Sequence, residues 1–261
     1  MRFTKLHLVF LLLTLLMLSL LPATAQIVNI ENRRMQNDSV RRAGQVNLTF
    51  QFTENNGKRL LLTRNALALQ LKSRSLQDLW LFLANVDFSK ADNAAFSNAV
   101  FGHVRYNRKW GPRLRWEVMN QWQYNKLLGI ETRALAGTGP RYKWLAQPGG
   151  VAYLGCLYMF EYEKTTSDPP VIHRDHRMSS YLSTSLKLPD WLPGELVSTT
   201  YYQPLLKDFN DYRISHETSI ELRLTAKLRV TMRYTYLYDA RPPTGIRSKA
   251  QGVEQGLRLS F

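Results

Sequence analysis

Cysteine is nearly absent from this sequence, since Cys156 is the only one in 261 residues. An intramolecular disulfide is therefore impossible, and metal or redox sites that need several cysteines are excluded. The fold must be stabilised by hydrogen bonding and packing. No other motif predicts a cofactor or a bound metal, and we expect neither.

Long apolar runs are also missing, except at the start of the chain. Arg2 and Lys5 precede a largely apolar, uncharged run from Leu8 to Leu21, and Ala23-Thr24-Ala25 follows it. This order is typical of a signal peptide that is cleaved after Ala25. A permanent membrane helix needs about 20 apolar residues, and this run is shorter. Because no later apolar run is long enough for a membrane helix, any membrane crossing by the rest of the chain must use strands.

Acidic residues are scarce, with 20 Asp and Glu against 35 Lys and Arg. A positive balance of this size favours a polyanionic partner such as nucleic acid or an anionic membrane surface. The chain carries no zinc-finger spacing, no RNP-like aromatic motif and no basic helix, and it is predicted to be exported. We therefore expect no nucleic acid as a partner.

The dominant pattern in the rest of the chain is an alternation with a period of two. From Gly44 onwards one face carries Val46, Leu48, Phe50 and Phe52, and the other carries Gln45, Asn47, Thr49 and Gln51. The same alternation recurs over 214–224 and 228–238, where the polar faces carry several charges. Such segments are strands with one apolar and one polar side.

Counting these segments predicts about twelve strands, each long enough to span a membrane. They lie near residues 44–52, 59–72, 78–89, 95–108, 114–125, 131–144, 151–163, 178–188, 195–203, 212–225, 228–238 and 253–261. The predicted fold is all-β, a transmembrane antiparallel up-and-down β-barrel over 44–261. Residues 1–25 are then the signal peptide and 26–43 a periplasmic N-terminal segment. The alternative is a soluble periplasmic β-sheet protein.

Two further patterns favour the barrel in the outer membrane of a Gram-negative envelope. The longest predicted connections are the seventh, 164–177, and the eleventh, 240–252, and both are odd-numbered, as outward loops should be. Aromatic residues gather at predicted strand ends, as interfacial girdles require.

The last predicted strand resembles the assembly signal that the barrel-assembly machinery reads, and its apolar face includes Leu257, Leu259 and Phe261.

Repeated Tyr, Asn, Arg and Gly residues in the middle strands carry a family resemblance. The stretches are His103-x-Arg105-Tyr106-Asn107, Trp116-Glu117, Gln121-x-Gln123-Tyr124-Asn125-Lys126 and Leu135-x-Gly137-x-Gly139-Pro140-Arg141, with an opening Val28-Asn29-Ile30-Glu31 and Arg34. They resemble domain-of-unknown-function family 481, the group that includes salt-induced outer-membrane proteins. The resemblance implies an outer-membrane barrel of about this size and no catalytic residues.

A polar cluster is predicted where the fourth and fifth strands meet the sixth inside the barrel. Its members are His103, Arg105, Asn107, Glu117, Gln121, Gln123 and Arg141. One interpretation is a site for binding or proton relay. The favoured interpretation is a network of hydrogen bonds and ion pairs that fills the lumen, because small barrels pack their interior with side chains.

Two weaker patterns have the side chains of a catalytic or metal-binding site. His216-x-Thr218 lies on the apolar face of the tenth strand and is similar to the His-x-Ser pair of outer-membrane phospholipase, but Thr replaces the serine and no Asn is placed as orienter. His173, Asp175 and His176 have ligand chemistry in the seventh connection, but no further ligand completes a metal site.

Basic residues in the predicted outer loops would suit the phosphates of lipopolysaccharide. These are Arg174, Arg177, Arg241, Arg247 and Lys249. Outer-membrane lipids, lipopolysaccharide and the barrel-assembly machinery are therefore the expected partners. We expect a non-enzymatic envelope protein with a structural or narrow-permeation role, whose residual leak favours anions because arginine outnumbers glutamate on the polar faces. A lipid hydrolase is the alternative that uses His216 and Thr218.

Overall fold

The computed structural model describes residues 41–55, 58–91, 94–225 and 228–259, which form one antiparallel sheet of twelve strands. The predicted signal peptide, the adjoining segment up to residue 40, and Phe261 lie outside the described residues. No helix in the described part of the chain is long and apolar enough to cross a membrane.

The strands follow one another in sequence order, and each pairs with the next in antiparallel fashion. A single 3₁₀ turn, Lys126–Leu128, connects the fifth and sixth strands. The strands are β1 (Arg42–Asn55), β2 (Lys58–Lys72), β3 (Asp78–Ala91), β4 (Ala94–Lys109), β5 (Leu114–Asn125), β6 (Ile130–Gln147), β7 (Gly150–Thr165), β8 (Ile172–Lys187), β9 (Gly194–Leu205), β10 (Asp208–Arg223), β11 (Leu228–Asp239) and β12 (Lys249–Leu259).

Side-chain contacts show that this sheet curls into a barrel. Arg64 on β2 lies 3.3 Å from Glu254 on β12, so the last strand approaches the first two. Across the interior, Arg213 on β10 contacts Glu161 on β7. The prediction of an up-and-down β-barrel of about twelve strands is confirmed.

The register assigns opposite faces to the alternating residues. Leu48 lies on the outer face with 76% of its surface exposed, while the neighbouring Asn47 faces inward opposite Ala66. The inner face is not uniformly polar, because it also buries two apolar clusters. Their members are Met119, Leu135, Leu157, Met159, Tyr181 and Tyr201 in one, and Ala68, Leu81 and Leu83 in the other.

Aromatic contacts lie at both ends of the outer face. At the end where β1 begins and β12 ends, which we call the terminal end, Trp80 packs on Tyr106 with ring centroids 4.7 Å apart. At the opposite end, Tyr212 contacts Tyr202 and Tyr238 at 5.7 Å and 5.4 Å. Aromatic rings with one polar edge suit the two interfaces of a membrane.

The predicted start of the eighth strand is wrong by six residues. β8 begins at Ile172, so the seventh connection shrinks to 166–171 and is no longer than the eighth, 188–193. Only the eleventh connection, 240–248, is distinctly long. The stretch from Ile172 to Arg177 has few apolar residues, but its backbone pairs with β7 and Arg177 forms an ion pair with Glu161 on that strand.

The face assignment predicts opposite responses to a new charge at adjacent positions. Leu48→Arg should impair folding, because an arginine on the lipid face near mid-strand costs about 2–4 kcal/mol. Asn47→Arg places the same side chain on the inner face and should be far milder. The heat-modifiable folded fraction on gel electrophoresis measures both variants, and the reverse ranking would mean that the faces are exchanged.

Candidate functional site: two ion-pair clusters in the lumen

All seven residues of the predicted polar cluster lie on the inner face of three adjacent strands. β4 places His103 opposite Gln121 on β5 and Asn107 opposite Glu117, while Arg141 follows on β6. Five of the seven, His103, Arg105, Glu117, Gln121 and Arg141, join one network of contacts. Gln123 lies farther from the terminal end and lines a cavity instead.

The centre of this network is Glu117, whose side chain is fully buried. Arg105 Nη1 lies 3.0 Å from Glu117 Oε2, and Arg141 Nη1 lies 3.5 Å from Oε1. The Tyr181 hydroxyl donates to Glu117 Oε2 at 2.7 Å and accepts from Arg141 at 3.0 Å. We call these four residues the Glu117 cluster. One carboxylate here holds two guanidinium groups that are each no more than 3% exposed.

Tyr181 occupies its position because Gly155 on the paired strand has no side chain. A Cβ at residue 155 would lie 2.1 Å from the tyrosine ring. The ring therefore lies flat on the wall of the barrel, and its hydroxyl reaches Glu117. From the other side the Arg141 guanidinium stacks on the Tyr153 ring, 3.7 Å from its centroid. Stacking suits the flat guanidinium better than it would suit a lysine.

His103 connects the Glu117 cluster to Gln121. Arg105 Nε donates to His103 Nε2 at 3.4 Å, so Nδ1 carries the proton and donates to Gln121 Oε1 at 3.2 Å. This tautomer follows from the network, because an arginine can only donate. Since Arg105 does not release a proton at ordinary pH, a relay cannot continue through it. The geometry favours a filling role over a proton relay.

A second, larger cluster lies toward the opposite end and was missed in part by the sequence analysis. Arg177 Nε donates to Glu161 at 2.9 Å, and Arg177 Nη2 lies 3.0 Å from Asp211. Arg213 contacts Glu161 as well and joins Glu163 at 3.1 Å. The cluster is completed by Arg133, 3.2 Å from Glu161, and by Asp239, 2.8 Å from Arg213. We call these seven residues the Glu161 cluster.

The Glu161 cluster joins strands that are not neighbours in the sheet. Its members come from β6, β7 and β8 on one side and from β10 and β11 on the other. The signal that could have revealed Arg177 is its parity, since it continues the inward alternation of Ser179 and Tyr181. The predicted eighth strand begins only at residue 178, one position after Arg177, because the residues before it show no apolar alternation.

The two clusters differ in sign and enclose a small cavity. The Glu117 cluster has two guanidinium groups for one carboxylate, whereas the Glu161 cluster has three guanidinium groups for four carboxylates. Between them lies a cavity of about 120 Å³. Its polar lining includes Arg105, Gln121, Gln123, Arg133, Gln203 and Arg213.

The outer face carries one continuous chain of polar side chains at His216. Thr200 Oγ1 lies 2.8 Å from His216 Nδ1, and Thr218 Oγ1 lies 3.0 Å from Nε2. Ser198 Oγ in turn lies 2.9 Å from Thr218 Oγ1. Thr200 thus occupies the orienting position for which the sequence analysis found no asparagine.

Thr200, His216 and Thr218 are arranged like the orienting residue, the base and the nucleophile of a hydrolase, but Thr218 lacks the backbone donors that such a site needs. Thr218 lies near the middle of β10 and pairs with Ser198 and Tyr234 on both neighbouring strands. Backbone N–H groups of a mid-strand residue point along the sheet into the ladder, so they are not available to stabilise an oxyanion. The four side chains satisfy one another on an otherwise apolar surface.

The predicted ligand group in the seventh connection is separated by the structure. Asp175 points inward, 3.3 Å from Lys207, while His176 lies on the outer face against the Tyr158 and Phe160 rings. Within the described ranges, no group of three potential ligands could hold a metal ion. The placement of Arg177 in a basic outer loop is also wrong, because it is buried in the Glu161 cluster.

The chain is similar to one protein family and to several solved structures. The sequence profile of DUF481, described as "Protein of unknown function", matches residues 63–257. The structure is similar to the NanC porin (11% identity, 84% of this chain and 98% of that chain, TM-score 0.47). It is also similar to a bacterial polysaccharide outer-membrane secretin (8%, 84% and 91%, 0.44) and to the β domain of the Bordetella autotransporter BrkA (11%, 84% and 98%, 0.34). No curated protein matches the sequence.

Removing the charge of Glu117 should be costly. Glu117→Gln leaves two buried guanidinium groups without their carboxylate, and breaking a buried pair in this way costs about 3–5 kcal/mol. The matched control is Glu254→Gln, at a glutamate that is 38% exposed and also contacts two arginines. The control should cost about 0–1 kcal/mol. Urea unfolding of both variants in lipid vesicles measures the difference, and equal losses would contradict the role assigned to burial.

Proposed function

The chain belongs to DUF481, a family of proteins of unknown function, and we propose that it is a non-enzymatic outer-membrane barrel that permits only narrow permeation. The observation that carries this proposal is the pair of ion-pair clusters across the lumen. Their central side chains, such as Glu117 and Glu161, are no more than 1% exposed. A solute cannot pass there without separating charges that are costly to leave unpaired.

The number of strands also supports narrow permeation. Barrels of about eight strands have interiors that side chains just fill, whereas porins of 16–18 strands leave an aqueous channel. Twelve strands enclose an intermediate space. In this protein arginine and glutamate side chains fill much of that space, so the expected conductance is well below that of a porin.

The outer face supports placement in the outer membrane. It exposes many large apolar and aromatic side chains, of which Leu48, Phe50 and Tyr158 are examples. A soluble periplasmic protein would expose this surface to water at a high cost. Together with the predicted export signal, the surface favours the membrane-spanning alternative, and recovery in detergent-extracted outer membrane rather than in soluble periplasm is the test.

The partners follow from the same placement. Arg174, Arg241 and Arg247 are exposed at the end of the barrel opposite the terminal end. That end faces outward when the terminal end is periplasmic. Guanidinium groups there suit the phosphates of lipopolysaccharide. The barrel-assembly machinery is the expected partner during insertion.

The lipid-hydrolase alternative depends on the chain from Thr200 through His216 and Thr218 to Ser198. Because Thr218 lies mid-strand without oxyanion donors from the backbone, we expect no phospholipid hydrolysis by the purified protein in mixed micelles. A release of fatty acid that His216→Ala abolishes would overturn the non-enzymatic assignment. A release that persists in His216→Ala would indicate a contaminating enzyme.

The permeation proposal is tested by planar-bilayer recordings of the purified barrel. We expect a small conductance, well below that of a 16-stranded porin measured in the same salt, because the two clusters obstruct the lumen. A large and steady conductance would contradict the obstruction. A complete absence of conductance would leave the protein with a structural envelope role only.

A further inference from the structure

The lumen is obstructed unevenly. On the side of β4 to β10, the guanidinium groups of Arg105, Arg141 and Arg177 are 3%, 1% and 2% exposed. On the side of β2, β11 and β12, Arg64 and Arg233 are 47% and 35% exposed although they also face inward. Among the described residues, solvent therefore reaches the mid-strand arginines of this side but not those of the two buried clusters.

The wall on the accessible side includes several small side chains. Ala66 on β2 faces inward, and β12 contributes Gly252 and Gly256 at inward positions. The threonines that pair with these glycines lie against the wall, since Thr231 Oγ1 donates to the Gly256 carbonyl at 3.3 Å and Thr235 Oγ1 to the Gly252 carbonyl at 3.4 Å. These small residues leave space beside the longer inward side chains of the same strands.

One row of charges crosses this accessible side, about halfway along the strands. Arg64 lies 3.6 Å from Asp87 on β3 and 3.3 Å from Glu254 on β12. Glu254 lies 3.1 Å from Arg233 on β11, which lies 3.5 Å from Glu217 on β10. We call these five residues the charge belt.

We propose that a narrow aqueous passage follows the wall formed by β11, β12, β1 and β2, and that the Arg64–Glu254 pair is its constriction and sets its ion selectivity. This inference deepens the proposed permeation function and rests on it. Arg64 lies on β2, next to the β1 edge of the sheet, and Glu254 lies on β12 at the other edge, so their contact spans the junction where the two edges of the sheet approach each other.

The pair is suited to a constriction because it is accessible. Half-exposed ion pairs are weakly held and screened by salt, so they part more readily than the buried clusters do. The charge belt holds two guanidinium groups and three carboxylates. Its net charge is therefore close to zero, and a single substitution changes that charge by one unit. Fixed charges at the narrowest point of a pore select ions of the opposite sign.

The test uses the two partners of one ion pair, whose removal should have opposite effects. Arg64→Ala and Glu254→Ala should both enlarge the conductance in planar bilayers, because each shortens a side chain at the constriction. In a potassium chloride gradient the reversal potential should shift toward cation selectivity in Arg64→Ala and toward anion selectivity in Glu254→Ala. A loss of folding alone cannot produce shifts of opposite sign.

The matched control is Arg108→Ala, which removes one positive charge from the outer face near Asp78. Its conductance and reversal potential should equal those of the wild type. Shifts in the same direction for Arg64→Ala and Glu254→Ala, or shifts no larger than in the control, would overturn the constriction.

A closed wild-type barrel would refute the permeation function separately. In that case the constriction is judged by whether Arg64→Ala opens a conductance. Opening supports the assignment, and continued closure overturns it.

Discussion

The pairing of every buried charge is the constraint on which this barrel depends. Glu117 is surrounded by two guanidinium groups and a tyrosine hydroxyl, and each of these needs the carboxylate as much as the carboxylate needs them. Away from bulk water an unpaired charge costs far more than a weak pair gains. The positions of Gly155 and Tyr153 follow from that need, because one makes room for Tyr181 and the other supports Arg141.

The same constraint is met differently on the other side of the lumen. Arg64 and Glu254 retain access to solvent, so they can tolerate imperfect pairing and small neighbours such as Gly252 and Gly256. The outer face meets it in a third way, since Ser198, Thr200, His216 and Thr218 bond to one another on an otherwise apolar surface. In all three places, the polar side chains therefore have polar partners close by.

The alternation of apolar and polar residues was enough to predict the twelve strands and the inward faces of β4, β5 and β6. It predicted that His103, Arg105 and Glu117 converge, because residues two apart share a face. It did not predict Arg177 and Asp211, since their strand ends carry too few apolar residues to show a period. Those ends are held by ion pairs to strands that are distant in sequence, and no local pattern records such contacts.

The opposite signs of the two clusters have a consequence for any ion that enters the obstructed side. An anion attracted by the guanidinium groups around Glu117 would meet the surplus carboxylates around Glu161, and a cation would meet the reverse order. Neither sign finds a continuous favourable field there, even if a side chain moves aside for a moment. The surplus of arginine in the sequence therefore cannot act evenly along the lumen. Selectivity has to arise where the charges lie beside water at one level, which is the arrangement of the charge belt.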